Sequence, residues 1–361
     1  MNWLMRILIA LVVLAAVAVA AFQLLRPQIA ERAFARGVDR NVGVDRSADL
    51  PDGLHVYLCG TGSPMPDIAR AGPCVGVLAG RDGFIFDAGS GSVRKLSRMG
   101  FPTDRLQGAY LTHLHSDHID GLGELMLQAW IAGQRDQPLP VSGPRGTRKV
   151  VEAFNTAYEI DRGYRIAHHG TEVANPSGFG AEPSEIILPA GPGGREVVYS
   201  ANGVTITAIR VEHAPVEPAF GYRIDYKDRS VSLSGDTIYH PGFVAASQGV
   251  DLMLHEALDP EMVTRMAAAF AARGNDAGAT IFHDILDYHA TPEDGARAAA
   301  EAGAGELIYY HIVPPLPAPL LNRMWLGDSK SHFDGPMRVG EDGMLVSLPA
   351  GSDDVLHGRA Y

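Results

Sequence analysis

Thr112-His113-Leu114-His115-Ser116-Asp117-His118 places four candidate metal donors within six positions. The run Ala109–Thr112 before it reads as a strand. A helix follows from about Asp120, where Leu122, Leu125, Met126, Ala129 and Trp130 recur at helical spacing. On an extended backbone alternate side chains share a face, so His113 and His115 point the same way. Asp117 and His118 fall where the chain turns, and can address a second position. One ion cannot comfortably take all four donors from so short a span, whereas two adjacent ions can. A solvated His-rich loop is the bland alternative. Three of the 14 histidines gathered in six positions around an aspartate favour the metal reading.

Working outward, the body alternates short β-runs with helices. Leu54–Cys59, Val75–Leu78 and Phe84–Phe86 read as strands joined by Gly-rich turns, and Val204–Val211, Phe220–Asp225 and Ser230–Leu233 as three more. Leu252–Leu254 and Leu307–Tyr310 resemble short buried strands. A helix starts near Pro260, and another is capped by Thr291 with Pro292 at its first position. Met337–Val339 and Met344–Leu348 read as a hairpin around Glu341-Asp342-Gly343. Residues 134–200 have weak periodicity and read as a partly structured insertion. His213, Asp236, His255 and His311 each follow an apolar strand-like run. Strand ends along one sheet edge converge, which is how donors distant in sequence meet.

His113-x-His115-x-Asp117-His118 resembles the signature of the metallo-β-lactamase superfamily. Gly60-Thr61-Gly62-Ser63-Pro64 and Phe86-Asp87-Ala88-Gly89 resemble its first loop and its buried supporting aspartate. Val211-Glu212-His213, Ser234-Gly235-Asp236-Thr237, His255-Glu256-Ala257 and Tyr310-His311 resemble the ribonuclease Z and arylsulfatase-like branch. The resemblance implies an α/β fold, the αββα sandwich, to which the apolar N-terminal run Ile7–Leu25 adds an expected transmembrane helix. It implies two zinc ions, with manganese or iron also suited to the donors. His113, His115 and His213 would hold one, Asp117, His118 and His311 the other, and Asp236 would bridge them. A hydroxide bridging the two cations would then be the nucleophile, oriented by Asp117. His289, in Tyr288-His289-Ala290-Thr291, resembles the family's catalytic histidine and is the expected general acid. Asp87, His255 and Glu256 are expected to support the ligands or His289 from behind. His168-His169 in the insertion could touch substrate, although a solvated loop is the simpler reading.

The expected reaction is hydrolysis of a phosphodiester or aryl sulfate-type ester. A lactonase, thioesterase or β-lactamase acting on a carboxyl derivative is the second reading, and a non-catalytic membrane-tethered metal-binding protein the third. Nucleic acid is not expected as a partner: a membrane segment precedes the domain, and two further features argue against it. The chain carries a net charge of −12 without a basic stripe. The tRNA-processing members carry a long basic arm between the motifs matched by His213 and Asp236, where this chain has only 22 residues. A small-molecule ester is therefore the expected substrate, and the family resemblance suggests a homodimer.

Ile7–Leu25 is a 19-residue run, apolar but for Gln23, between Arg6 and Arg26. As a helix it spans roughly 28 Å, close to the ~30 Å hydrocarbon core. An uncleaved inner-membrane anchor is preferred to a signal peptide cut after Ala18-Val19-Ala20, which would release a secreted enzyme. Arg26, Arg32, Arg36 and Arg40 follow the span, which by the positive-inside rule favours a cytoplasmic catalytic part. The short N-terminus before a signal-like run favours a periplasmic one, which is the orientation expected here. The organisation expected is an anchor over 1–26, a charged linker over 27–52, a hydrolase domain over 53–350 and a tail over 351–361. Cys59 and Cys74 flank a loop between two strands. They form a disulfide or remain two buried thiols according to compartment.

Overall fold

The computed structural model describes residues 2–360, in two compact units, residues 1–46 and 47–361. The first is one helix, α1 (Trp3–Asn41), with no buried side chain. It is long and apolar enough, by length and composition, to cross a membrane. The expected linker is therefore largely helical. Pro27 sits inside the helix without ending it, and residues 28–36 (Gln-Ile-Ala-Glu-Arg-Ala-Phe-Ala-Arg) are rich in strong helix formers that continue it.

In the second unit, β1 (Gly53–Gly60), β2 (Cys74–Ala79), β3 (Asp82–Phe86), β4 (Leu106–Tyr110), β5 (Leu139–Gly143) and β6 (Ala181–Glu185) build one sheet. β7 (Arg195–Ala201), β8 (Val204–Val211), β9 (Ala219–Tyr226), β10 (Arg229–Leu233), β11 (Leu252–Leu258), β12 (Glu306–Val313) and β13 (Met337–Val339) build the other. β14 (Met344–Pro349) and β15 (Leu356–Arg359) return to the first sheet, which runs β15-β14-β1-β2-β3-β4-β5-β6; the second runs β13-β12-β11-β10-β9-β8-β7. Val56, Val77, Phe84 and Phe86 from one sheet meet Ile206, Tyr222, Ile224, Leu254 and Ile308 from the other in a buried layer.

Helices close the outer faces. α2 (Ser92–Met99), α3 (Ser116–Ile119), α4 (Leu122–Ile131) and α5 (Thr147–His169) lie on the first-sheet side, where Leu96, Leu125 and Val151 join its apolar cluster. On the second sheet, α6 (Pro241–Ala246) contributes Phe243, and a further helix over Pro292–Ala302 contributes Ala296 and Ala299. The result is the αββα sandwich.

Three details depart from the sequence reading. The stretch 134–200 holds β5, the 23-residue α5, β6 and β7. α5 buries only Thr147 and Val151, so it carries almost no apolar stripe to read. Met337–Val339 and Met344–Leu348 do not pair with each other. β13 lies parallel to β12 in the second sheet, and β14 lies antiparallel to β1 in the first. The Glu341-Asp342-Gly343 turn thus crosses from sheet to sheet. His255 and His311 lie inside their strands, which run on to Leu258 and Val313.

Candidate metal centre

The cluster forms where the C-terminal ends of β4, β8 and β10 meet β12. After β4 the chain stays extended through His115, whose ψ of 149° precedes α3. His113 and His115 therefore share a direction, and α3 then turns Asp117 and His118 towards a second position. His213 follows β8 and Asp236 follows β10. His311 arrives by a different device. Glu256 of β11 pairs with Tyr310 while Ala257 pairs with Ile312, so His311 is the extra residue of a bulge, with φ of 47°. A bulge re-aims one side chain without moving the rest of the strand, and the αL conformation of a non-glycine residue here is a local cost.

Two donor sets result. His113, His115, His213 and Asp236 each offer an atom, all within 4.8 Å of one another; so do Asp117, His118 and His311. Asp236 Oδ2 lies 3.4 Å from His118 Nε2, 3.3 Å from His311 Nε2, 3.8 Å from His113 Nε2 and 3.9 Å from His213 Nε2, so it stands between the sets. Nε2 of His113, His118 and His213 and Oδ1 of Asp236 are buried without any hydrogen-bond partner. Leaving such groups unpaired is expensive, and an imidazole nitrogen and carboxylate oxygens converging at this spacing fit divalent cations. The donors carry no thiolate, which suits zinc, manganese or iron.

The opposite ring nitrogens are held by the protein. His118 Nδ1–H donates to Asp87 Oδ2 at 2.8 Å, and His213 Nδ1–H to the Tyr288 carbonyl at 2.9 Å. Each bond selects the tautomer that leaves Nε2 free as a donor to metal. Asp87 also accepts from Thr112 N and Oγ1, both at 2.8 Å, tying the start of the His-rich loop to the end of β3. Burial holds His113 well below its usual range and takes His213 down to about 4, so both are neutral. Burial also opposes the charged form of His118, but Asp236, Asp87 and Asp117 outweigh it and raise that imidazole. For Asp236 burial is outweighed by His311 and His118, which keep the carboxyl ionised.

His289 packs beside His213 and His311 with ring centroids 5.2 and 5.5 Å away. Its Nδ1 lies 2.9 Å from Glu256 Oε1, leaving Nε2 for the cavity it lines. Glu256 Oε1 also accepts from Thr237 N at 3.0 Å and Ala290 N at 3.2 Å. Burial lowers His289 to about 4. Burial and the nearby Asp236 raise the Glu256 carboxyl well above its usual range.

One expectation about position does not hold. His255 does not reach the cluster: its Nδ1 bonds the Glu256 carbonyl, its ring lies against Phe243, and Nε2 has no partner. Neighbours on a strand face opposite ways, so only Glu256 can support His289. His168 and His169 end α5, exposed and outside the cavity beside the cluster. Sequence reasoning also passed over Thr112, Tyr288 and Thr237, which hold Asp87, His213 and Glu256. Nothing in their local sequence marks them.

Residues 83–312 match the β-lactamase superfamily domain. Ribonuclease Z of Mycobacterium bovis (strain BCG / Pasteur 1173P2) is 35% identical over 292 residues, covering 80% of this chain and 96% of that protein. Ribonuclease Z of Mycobacterium avium (strain 104) is 35% identical over 301 residues, covering 83% of this chain and all of that one. The short form of human tRNase Z superposes with a TM-score of 0.58 at 21% identity, over 82% of this chain and 99% of that one. These findings overturn the expectation of a small-molecule ester substrate with nucleic acid excluded. Relatives matched along nearly their whole length are named as ribonucleases. Net charge describes the whole surface and does not report the field inside one cleft. With its signature motifs assembled on the αββα frame, the chain belongs to the metallo-β-lactamase superfamily of hydrolases, with ribonuclease Z among its homologues.

Proposed function

We propose that the chain is a metal-dependent phosphodiesterase that hydrolyses RNA. His113, His115 and His213 hold one divalent cation, zinc by preference, Asp117, His118 and His311 a second, and Asp236 serves both. The carrying observation is the convergence of buried donor atoms with no protein partner, joined by full-length similarity to ribonuclease Z. Bound cations supply Lewis acidity towards a phosphoryl oxygen and lower the pKa of coordinated water towards ~7.

The chain's own groups do the rest. Asp117, 7% exposed and facing the cavity, accepts a proton from the attacking water and orients it. His289 delivers a proton from Nε2 to the departing oxygen. Burial keeps that imidazole neutral in the free site, and the negative charge of a bound phosphodiester favours its protonated form. Glu256, buried and anchored by two backbone N–H groups, fixes the ring through Nδ1.

The test combines metal analysis with a substrate panel of a 3′-extended structured RNA, bis(p-nitrophenyl) phosphate, p-nitrophenyl sulfate, a lactone and a cephalosporin. Turnover of the RNA and the phosphodiester, abolished in Asp236→Ala, is expected. Turnover confined to the sulfate, the lactone or the cephalosporin would overturn the reading. So would a folded, metal-loaded protein inert on all five.

We further propose that α1 anchors the enzyme and that the catalytic unit faces the periplasm. Cys59 and Cys74, both buried, are joined in a disulfide, a bond that persists in oxidising compartments. Reporter fusions at the C-terminus test this; alkaline phosphatase activity is expected, and β-galactosidase activity would reverse the orientation.

A further inference from the structure

The cavity beside the cluster, about 260 Å³, is lined by Asp117, Asp236, His289 and His311 together with Ser63. Among the described residues that line it there is no lysine or arginine. Apart from His289, a phosphodiester seated on the cations would therefore meet only neutral donors at its outward oxygens. Ser63 is 8% exposed, and its Oγ, closed off from solvent in this rotamer, has no hydrogen-bond partner in the protein; a turn about the Cα–Cβ bond would aim it at the cavity the residue lines. A buried hydroxyl left unpaired lowers stability, and such groups persist where a ligand completes them.

The loop that carries Ser63 is held from several directions. Cys59 and Cys74 close it at its base. Asp342 Oδ1 accepts from Thr61 N at 2.9 Å and Thr61 Oγ1 at 2.7 Å, and Asp342 Oδ2 accepts from Ala71 N at 2.7 Å. Ile312 N donates to the Thr61 carbonyl at 2.9 Å, coupling the loop to the residue after His311. Gly60 and Gly62 let its two limbs approach: a Cβ on Gly60 would stand 1.7 Å from the Gly72 carbonyl oxygen, and one on Gly62 2.8 Å from that of Ala71. Ser63 is thus presented on a rigid support, as a binding group needs to be.

We infer that Ser63 is a substrate-binding residue, its hydroxyl donating to a non-bridging oxygen of the scissile phosphate. The inference rests on the phosphodiesterase reading and adds a neutral hydroxyl donor for a phosphate oxygen. A hydrogen bond to a charged group is worth enough that its loss weakens binding about tenfold or more.

The experiment compares the full-length, zinc-loaded wild type with Ser63→Ala. It measures metal content, urea midpoint, affinity for inorganic phosphate by calorimetry, and KM for bis(p-nitrophenyl) phosphate. The expected result is unchanged metal content, an unchanged or higher urea midpoint, and phosphate affinity and KM both worse by about tenfold. A hydroxyl with only a structural role would give the reverse, a lower midpoint with phosphate affinity intact, and that result overturns the inference. Wild-type protein that neither binds phosphate nor turns over the diester removes the phosphodiesterase reading itself, and Ser63's role with it. That failure is distinguished by appearing before any substitution is made.

Discussion

Asp342 and Thr61 lie 281 residues apart, yet one carboxylate oxygen of Asp342 accepts both the backbone N–H and the hydroxyl of Thr61. Its other oxygen takes Ala71 N and the Lys95 ammonium. The sheet-to-sheet crossing thereby clamps the loop that walls the cavity with Ser63, Pro64 and Met65. Asp342→Ala strips four donors of one acceptor. A loss of about 2–4 kcal/mol in unfolding free energy is expected, with KM for the diester raised and metal content unchanged. Urea titration beside steady-state kinetics checks this; an intact KM would show that the clamp does not govern the cavity wall.

Asp87 reaches the cluster only through His118 and Thr112. Asp87→Ala should leave the donor atoms in place but free the His118 ring to rotate. Zinc affinity, measured by chelator competition, should fall by about 10–100-fold. Asp236→Ala should cost more, since that residue stands between both donor sets. Equal affinities in Asp87→Ala and wild type would contradict the positioning role.

His289 as proton donor makes a prediction about leaving groups. A nucleoside alkoxide needs a proton as it departs, and p-nitrophenolate does not. His289→Ala should therefore lower kcat on RNA by about 10²–10⁴-fold and affect bis(p-nitrophenyl) phosphate far less. Glu256→Gln should reproduce a weaker version, and the double variant should be no worse than His289→Ala, because the two act as a unit. Equal losses on both substrates would point instead to His289 as a metal donor, a geometry its nearness to Asp236 and His311 allows.

His55 offers a pH test away from the metals. Its Nε2–H donates to the Pro51 carbonyl at 2.7 Å, so Nδ1 accepts from Ser347 Oγ at 2.9 Å. Burial holds the imidazole below its usual pKa, only partly offset by Pro51 and Asp52. The unfolded chain, with a pKa near ~6.5, binds more protons than the folded one at acid pH. The stability contributed by neutral His55 is therefore present above ~6.5 and lost as pH falls through its folded value. His55→Gln should show a smaller drop in urea midpoint between pH 7 and pH 5 than wild type. Comparing the two drops cancels whatever the metal site contributes.

Local physics explains what could be read early. His113-x-His115 is legible because alternation on extended backbone needs no partner strand. The Thr291 cap is legible because its capping box with Asp294 closes within four residues. The body strands are legible because their apolar runs fill the layer between the sheets. α5 is not, since it buries too little to leave a periodic trace.

By itself, the sequence determined the chemistry at hand: imidazoles and carboxylates beside apolar strand-forming runs, in an order that points to one superfamily. Only the tertiary structure decided which of them meet. It turned Glu256 towards His289 and His255 away, swung His311 inward on a bulge, and sent Asp342 across to the first loop rather than into a hairpin. Each of these depends on pairing between strands far apart in the chain, and strand register is an energy of the whole sheet that no short window of sequence contains.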